Sequence, residues 1–190
     1  MALFFSNSNI DTRDEFEKRL AAARRLAGAD GVEMFVDEYN HADWLEKVAA
    51  GCEDEPEKGA RCARCFRYSL ERAARYAAEH GFEAFTTSLT VSPHKVSPMV
   101  FAAGMDAAWA VSTAECGGVS APAPQFLEVD FKKHDGFLLS LRRSAELELY
   151  RQGYCGCEFS RNGGNATDGA SGIYGLHCRK QDKNRKEEKQ

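Results

Sequence analysis

Apolar residues along the chain fall alternately into short runs and helix-spaced stripes, and this alternation predicts most of the elements. Leu3-Phe4-Phe5 is a short apolar run closed by the turn formers Ser6-Asn7-Ser8-Asn9, the pattern of a strand and its exit loop. Phe16, Leu20, Ala23 and Ala27 then recur at steps of four and three, which predicts a helix ending at Gly28. Asp11 or Thr12 can cap its start, with Glu15 as capping-box partner of Thr12. Val32 to Val36 reads as the next strand, and His41 to Ala50 as a short helix with Trp44, Leu45 and Val48 inward. Gly51 to Ala60 is acidic, holds Pro56 and Gly59, and reads as a loop.

A second long helix is predicted from Arg61 or Cys62 to His80, with Phe66, Leu70, Ala73, Ala74 and Ala77 on one stripe and Gly81 closing it. Ala84 to Leu89, rich in Thr and Phe, reads as a strand broken at Ser92-Pro93. Lys95 to Ala110 is predicted helical, since Pro98 is tolerated in a first turn. A loop over Gly117 to Pro124 leads to a strand over Phe126 to Val129. A helix over His134 to Tyr150 follows, with Leu138, Leu141, Ala145 and Leu149 inward. Strands alternating with helices predict an α/β fold, a parallel sheet flanked by helices on both faces. After Ser160 the chain turns Gly-, Asn- and Ser-rich and then densely charged. The expected organisation is therefore one α/β domain over residues 1–160 and a flexible polar tail over 161–190.

Composition narrows the class. A chain of 190 residues suits one domain, and 43% hydrophobic with 28% charged residues is ordinary for a soluble globular protein. No apolar run approaches the roughly 18 residues of a membrane span, and Met1 to Phe5 is too short for a signal-peptide core. The expected compartment is the cytoplasm, with no membrane partner. A net charge of -4 excludes a broadly basic wrapping surface but not a local basic patch. In a reducing compartment the seven cysteines read as metal or redox ligands rather than as a disulfide framework.

Two cysteine pairs stand out. Cys62-Ala63-Arg64-Cys65 puts two thiols on one side of a helix start. There the helix dipole and neighbouring Arg61, Arg64 and Arg67 favour thiolate, which ligates iron or zinc or attacks a disulfide. Tyr154-Cys155-Gly156-Cys157 puts two more thiols one residue apart, able to share a metal or close a small strained disulfide. Cys52 and Cys116 read as packing residues, and Cys178 falls in the tail.

The segments Ser6 to Asn9, Thr87 to Lys95 and Asp130 to Lys133 each follow a strand, so all lie at the carboxyl edge where α/β sheets bind ligands. Lys95, Lys132 and Lys133, with Arg142, Arg143 and Arg151, are candidates to hold an anionic substrate such as RNA phosphate, against a reading as solvated helix faces. Asp130 is a candidate metal ligand or general acid, against a reading as a helix cap. Phe131 and Tyr154 are candidates to stack on a base, with a core role the stronger reading for Phe131.

These residues together resemble the cobalamin-independent epoxyqueuosine reductases of QueH type. The resemblance runs through Phe4-Phe5-Ser6-Asn7-Ser8-Asn9-Ile10, Arg61-Cys62 to Cys65, Thr86-Thr87-Ser88-Leu89 on to Ser92-Pro93-His94-Lys95, and Asp130-Phe131-Lys132-Lys133 with Gly136. It ends in Tyr150-Arg151-Gln152 and Tyr154-Cys155-Gly156-Cys157 on to Ser160, covering about residues 3 to 160. It implies an adenine-nucleotide-alpha-hydrolase-like (HUP-like) fold. It also implies the last step of queuosine synthesis, reduction of an epoxide to an alkene on a wobble nucleoside in the tRNA anticodon loop. By resemblance, Cys62 and Cys65 match ligands of a 4Fe-4S iron-sulfur cluster. Cys155 and Cys157 match a redox-active disulfide or, with an aspartate for which Asp130 is the candidate, ligands of an additional iron ion. Lys95, Lys132 and Tyr154 are the expected substrate contacts, Lys132, Asp130 or Tyr154 the expected acid, and an unidentified electron donor the expected partner.

Family members carry a strand and a Cys-Cys-x-x-Cys loop ahead of the segment matching Leu3 to Ile10, whereas Met1 here lies two residues before Leu3. The expectation is that the first strand and the cysteines completing the cluster are missing. That makes the chain a truncated or degenerate member, or one whose cluster is rebuilt from Cys62, Cys65, Cys155 and Cys157. Four thiolates suit zinc as well as iron and sulfide, so a zinc-stabilised RNA-binding module without catalysis is the first alternative. A thiol-disulfide oxidoreductase is a further one.

Overall fold

The computed structural model describes residues 1–113 and 123–162. Strand β1 (Ala2–Phe5) pairs in parallel with β2 (Glu33–Val36), with Ala2 opposite Glu33 and Phe5 opposite Val36. The crossover between them is α1 (Arg13–Ala29), whose N-cap Thr12 accepts a hydrogen bond from the Glu15 amide. Only that half of the expected capping box forms, because the Glu15 carboxylate turns to Arg19 and Tyr150 instead.

A short α2 (His41–Trp44) continues as a π-helical turn over Leu45–Ala49, and α3 (Ala60–Glu79) follows. Strand β3 (Ala84–Phe85) pairs in parallel with β4 (Gln125–Phe126), and α4 (Ser97–Thr113) lies between them in the chain. Two further helices complete the described residues, α5 (Gly136–Glu146) and α6 (Glu158–Asn162).

Strands alternate with helices as expected, but among the described residues the strands form two separate two-stranded parallel sheets rather than one. The second pair is short because side-chain hydroxyls compete for its backbone groups. Thr87 accepts from the Leu89 amide, and Ser88–Val91 winds into a 3-10 turn where a strand to Leu89 was expected. The Leu127 and Val129 carbonyls accept from the hydroxyls of Thr86 and Thr90, so β4 stops at Phe126 rather than Val129.

The main core joins Phe66, Leu70 and Ala74 of α3 to Val100, Ala103 and Ala107 of α4 and Phe126 of β4. The last helix of the α/β pattern is shorter than its apolar residues suggest. His134 and Asp135 adopt left-handed φ of 53° and 60°, so α5 starts at Gly136 rather than His134. A Cβ on Gly136 would lie 1.8 Å from the Phe131 carbonyl oxygen, so that close approach requires glycine. Leu138, expected inward, is 48% exposed.

Helix α6 carries regular structure to Asn162, past the expected boundary at Ser160. The stretch beyond it, expected to be a flexible tail, lies outside the described residues, as do Cys116 and Cys178. Among the described residues no helix is long and apolar enough to cross a membrane.

Candidate functional site

Helix α3 begins two residues before Cys62, with Gly59 as its N-cap, and presents Cys62 and Cys65 one turn apart. The Cys62 sulfur accepts from the Lys58 amide at 3.3 Å. Cys65 turns inward, onto a cluster built on Trp44, Val48 and Ala49 that also receives Cys157 and Phe159. Burial first, and then the facing Cys155, push the Cys65 thiol up to about 12. The helix-start preference for thiolate is thus overturned at Cys65, because loss of water outweighs the dipole.

The second pair approaches the same place from the other end of the chain. Burial also raises the Cys157 thiol, opposed by hydrogen bonds from Ser160. Cys155 lies against Lys95, whose ammonium donates to its sulfur at 2.7 Å. Burial works to lower the Lys95 pKa, but the facing sulfurs of Cys155, Cys62 and Cys65 outweigh it and hold Lys95 above its ordinary value. All four cysteines carry free thiols. Lys95, expected at a phosphate, is therefore engaged by a cysteine.

Lys132 and Asp130 sit one step out. The Lys132 ammonium donates to the Ser97 hydroxyl at 2.5 Å and the Lys95 carbonyl at 3.2 Å, and lies 3.4 Å from the Asp130 carboxylate. Burial works to raise the Asp130 pKa, but hydrogen bonds from the Lys132 amide and Ser97, with the Lys132 charge, bring it below the usual range. Asp130 is thus held as a carboxylate, and its hydrogen-bond partners are Lys132 and Ser97 rather than the cysteines.

The guanidinium groups of Arg19 and Arg161 lie over the Tyr154 ring, 5.2 and 4.8 Å from its centre. Its hydroxyl donates to Asp11 at 2.7 Å and accepts from Arg161 at 2.7 Å. Burial, then the Asp11 hydrogen bond, raise its pKa. A stacked base would compete with these arginines for the ring. Phe131 is 37% exposed and more open than its expected core role.

Several residues take roles at the site that the sequence did not assign to them. Trp44 backs Cys65. Arg61, 3% exposed, donates to the Cys52 and Glu53 carbonyls and lies 4.3 Å from the Phe159 ring centre. Arg19 donates to the Tyr154 and Cys155 carbonyls. The one sequence signal for Arg19 is its spacing of four from Glu15, which on a helix ordinarily marks a solvated pair.

Thiol donors suit a thiophilic group, iron with sulfide or zinc. Among the described residues, however, no three His, Cys, Asp or Glu side chains converge closely enough to hold a metal ion. The donors fit such a group in chemistry but not as one closed set.

Residues 1–163 match the family described as Epoxyqueuosine reductase QueH. Relatives of that name include one from Streptococcus pyogenes serotype M1, 32% identical over 166 residues, covering 84% of this chain and 60% of the relative. One from Acinetobacter baylyi is 34% identical over 159 residues, covering 84% and 68%. One from Thermotoga maritima is 35% identical over 160 residues, covering 83% and 77%. The chain thus spans 60% of the Streptococcus relative's length, and more of the other two. The chain belongs to the epoxyqueuosine reductase QueH family.

Proposed function

We propose that the chain reduces epoxyqueuosine to queuosine at the wobble position of tRNA, in the cytosol, on an adenine-nucleotide-alpha-hydrolase-like scaffold. The observation that carries this reading is the meeting of Cys65 and Cys157 in one cluster while Lys95 donates to Cys155 beside them. It gathers redox-capable sulfur and a cation where two distant parts of the chain meet. The family match supports the choice of substrate.

The reaction consumes two electrons and two protons, releases the epoxide oxygen as water and leaves an alkene. Cys62 and Cys65 would hold a 4Fe-4S cluster, and Cys155 and Cys157 a further iron if they do not act as a redox pair. When bound, such a group supplies single electrons from a separate donor molecule. The chain's own residues orient the substrate and supply protons. Of the acid candidates, Lys132 is favoured over Asp130, which is held as a carboxylate, and over Tyr154, whose single O–H already donates to Asp11. Lys133, beside it, is the candidate contact for RNA phosphate.

The test is anaerobic reconstitution with iron and sulfide, metal analysis, and nucleoside mass spectrometry of tRNA carrying epoxyqueuosine. Iron with sulfide and formation of queuosine are expected, with conversion abolished in Cys65→Ser. Zinc as the only bound metal, with tRNA binding but no conversion, would replace the reductase by the RNA-binding module.

A further inference from the structure

We propose that Arg19, fixed by Glu15, is a positioning residue that holds the Cys155-Gly156-Cys157 loop open as a dithiol. Arg19 donates from Nη1 to the Cys155 carbonyl at 2.9 Å and from Nη2 to the Tyr154 carbonyl at 3.2 Å. Its Nε donates to the Glu15 carboxylate at 2.7 Å, and both side chains are at most 10% exposed. The other Glu15 oxygen accepts from the Tyr150 hydroxyl at 2.8 Å. The next carbonyl, of Gly156, accepts from the Asp11 amide at 2.9 Å. Successive peptide planes from Tyr154 to Gly156 are therefore each held by a donor on α1 or its entry.

With those planes fixed, the two sulfurs serve different neighbours. Cys155 faces Lys95, and Cys157 packs with Trp44 and Phe159. Gly156, at φ +143°, separates them, and a Cβ there would lie 3.2 Å from Arg19 Nη1 and 2.8 Å from the side-chain Nδ2 of Asn9. The guanidinium thus lies directly against the residue that must bend for the pair to join. Closing so small a ring rotates the peptide planes on either side of Gly156, which takes the Cys155 carbonyl off the Arg19 fork and the Gly156 carbonyl off the Asp11 amide. Arg19 therefore stabilises the dithiol over the disulfide, and a pair so held is the more oxidising for it.

The inference rests on Cys155 and Cys157 working as a pair in the proposed reductase. Its measurement needs neither substrate nor turnover, so the two readings fail separately. The full chain, purified anaerobically, is equilibrated with glutathione and glutathione disulfide, acid-quenched, alkylated and weighed by peptide mass spectrometry. In this exchange the two cysteine sulfurs give up two electrons to glutathione disulfide, their protons pass to the released glutathione, and one Cys155–Cys157 bond forms.

Arg19→Met is expected to shift the equilibrium at least tenfold toward disulfide, about 30 mV for this two-electron couple. Arg19→Lys, which keeps the charge but loses the two-carbonyl fork, is expected to fall between it and the unaltered chain. Arg19→Met leaves Glu15 buried without its cation, so the double variant Glu15→Gln with Arg19→Met is the folded control and is expected to show the same shift. An unchanged equilibrium in folded Arg19→Lys and in the double variant would overturn the proposal, whatever their thermal midpoints.

Discussion

Cys65 sets one rule of proximity against another. It lies in the first two turns of α3, where exposed amides lower a thiol pKa, yet it packs, partly buried, onto the cluster of Trp44, Val48 and Ala49, where little water is left to solvate a charge. Burial wins, and the thiol rises to about 12. Iodoacetamide at about pH 8, where an ordinary cysteine thiol is substantially ionised, is therefore expected to leave Cys65 unlabelled in the native chain and to label it fully in urea. Peptide mass spectrometry reads both states, and native labelling as fast as the unfolded control would contradict the buried placement. The cysteine spacings were visible in the sequence because two-residue and one-residue gaps are local. The partners that set their chemistry were not. Lys95 could be placed at a strand exit but not at Cys155, 60 positions away. Arg19 lies off the apolar stripe of α1 and reads as a surface charge until carbonyls 135 and 136 positions away cover it.

At the scale of elements, α1 and α3 were legible from their apolar stripes, helped by the Thr12 cap of α1 and by Gly81 after α3, although α1 runs through Gly28, its expected end, to Ala29. The β3 and β4 strands were over-read. Thr86, Thr87 and Thr90 have strand-like composition, but their hydroxyls bind backbone groups that a ladder would use. Helix α5 was over-extended because periodicity does not reveal the left-handed backbone at His134 and Asp135. One interior glycine carries information that periodicity also missed. Gly104 lies inside α4, where glycine weakens a helix, and a Cβ there would sit 2.4 Å from the Phe126 ring. The missing methyl is what lets α4 lie on β4. Gly104→Ala, favourable for an isolated helix, is therefore expected to destabilise the protein by about 1–3 kcal/mol. Urea unfolding checks the sign, and a gain in stability would mean that the ring can move aside.

At the scale of the molecule, two parallel sheets must be held to one framework without sharing a ladder. Helix α3 does this. Its Phe66, Leu70 and Ala74 enter the core with α4 and β4, while its Tyr76 stacks on Phe4 of β1 with ring centres 4.3 Å apart. The polar counterpart of that stack is the Asp37 carboxylate just past β2, which takes two hydrogen bonds from Arg72 of α3, at 2.5 and 2.8 Å, and one from Ser6 just past β1, at 2.5 Å. Burial works to raise the Asp37 pKa, but the Arg72 and Ser6 hydrogen bonds and the Arg72 charge outweigh it, so it falls below the usual carboxylate value. A depressed acid contributes stability that is present above its unfolded pKa of about 3.9 and is lost as pH falls through the folded value. Acidification is thus expected to loosen the attachment of the β1–β2 sheet to α3 from about pH 4 downward. Asp37→Asn keeps the shape but removes the charge, and is expected to cost about 2 kcal/mol near neutral pH. Because the variant has no proton to gain there, its loss relative to the unaltered chain should shrink as pH falls below 4. Urea unfolding across that range measures both curves, and curves that stay parallel would show that the two halves are joined by the aromatic stack alone.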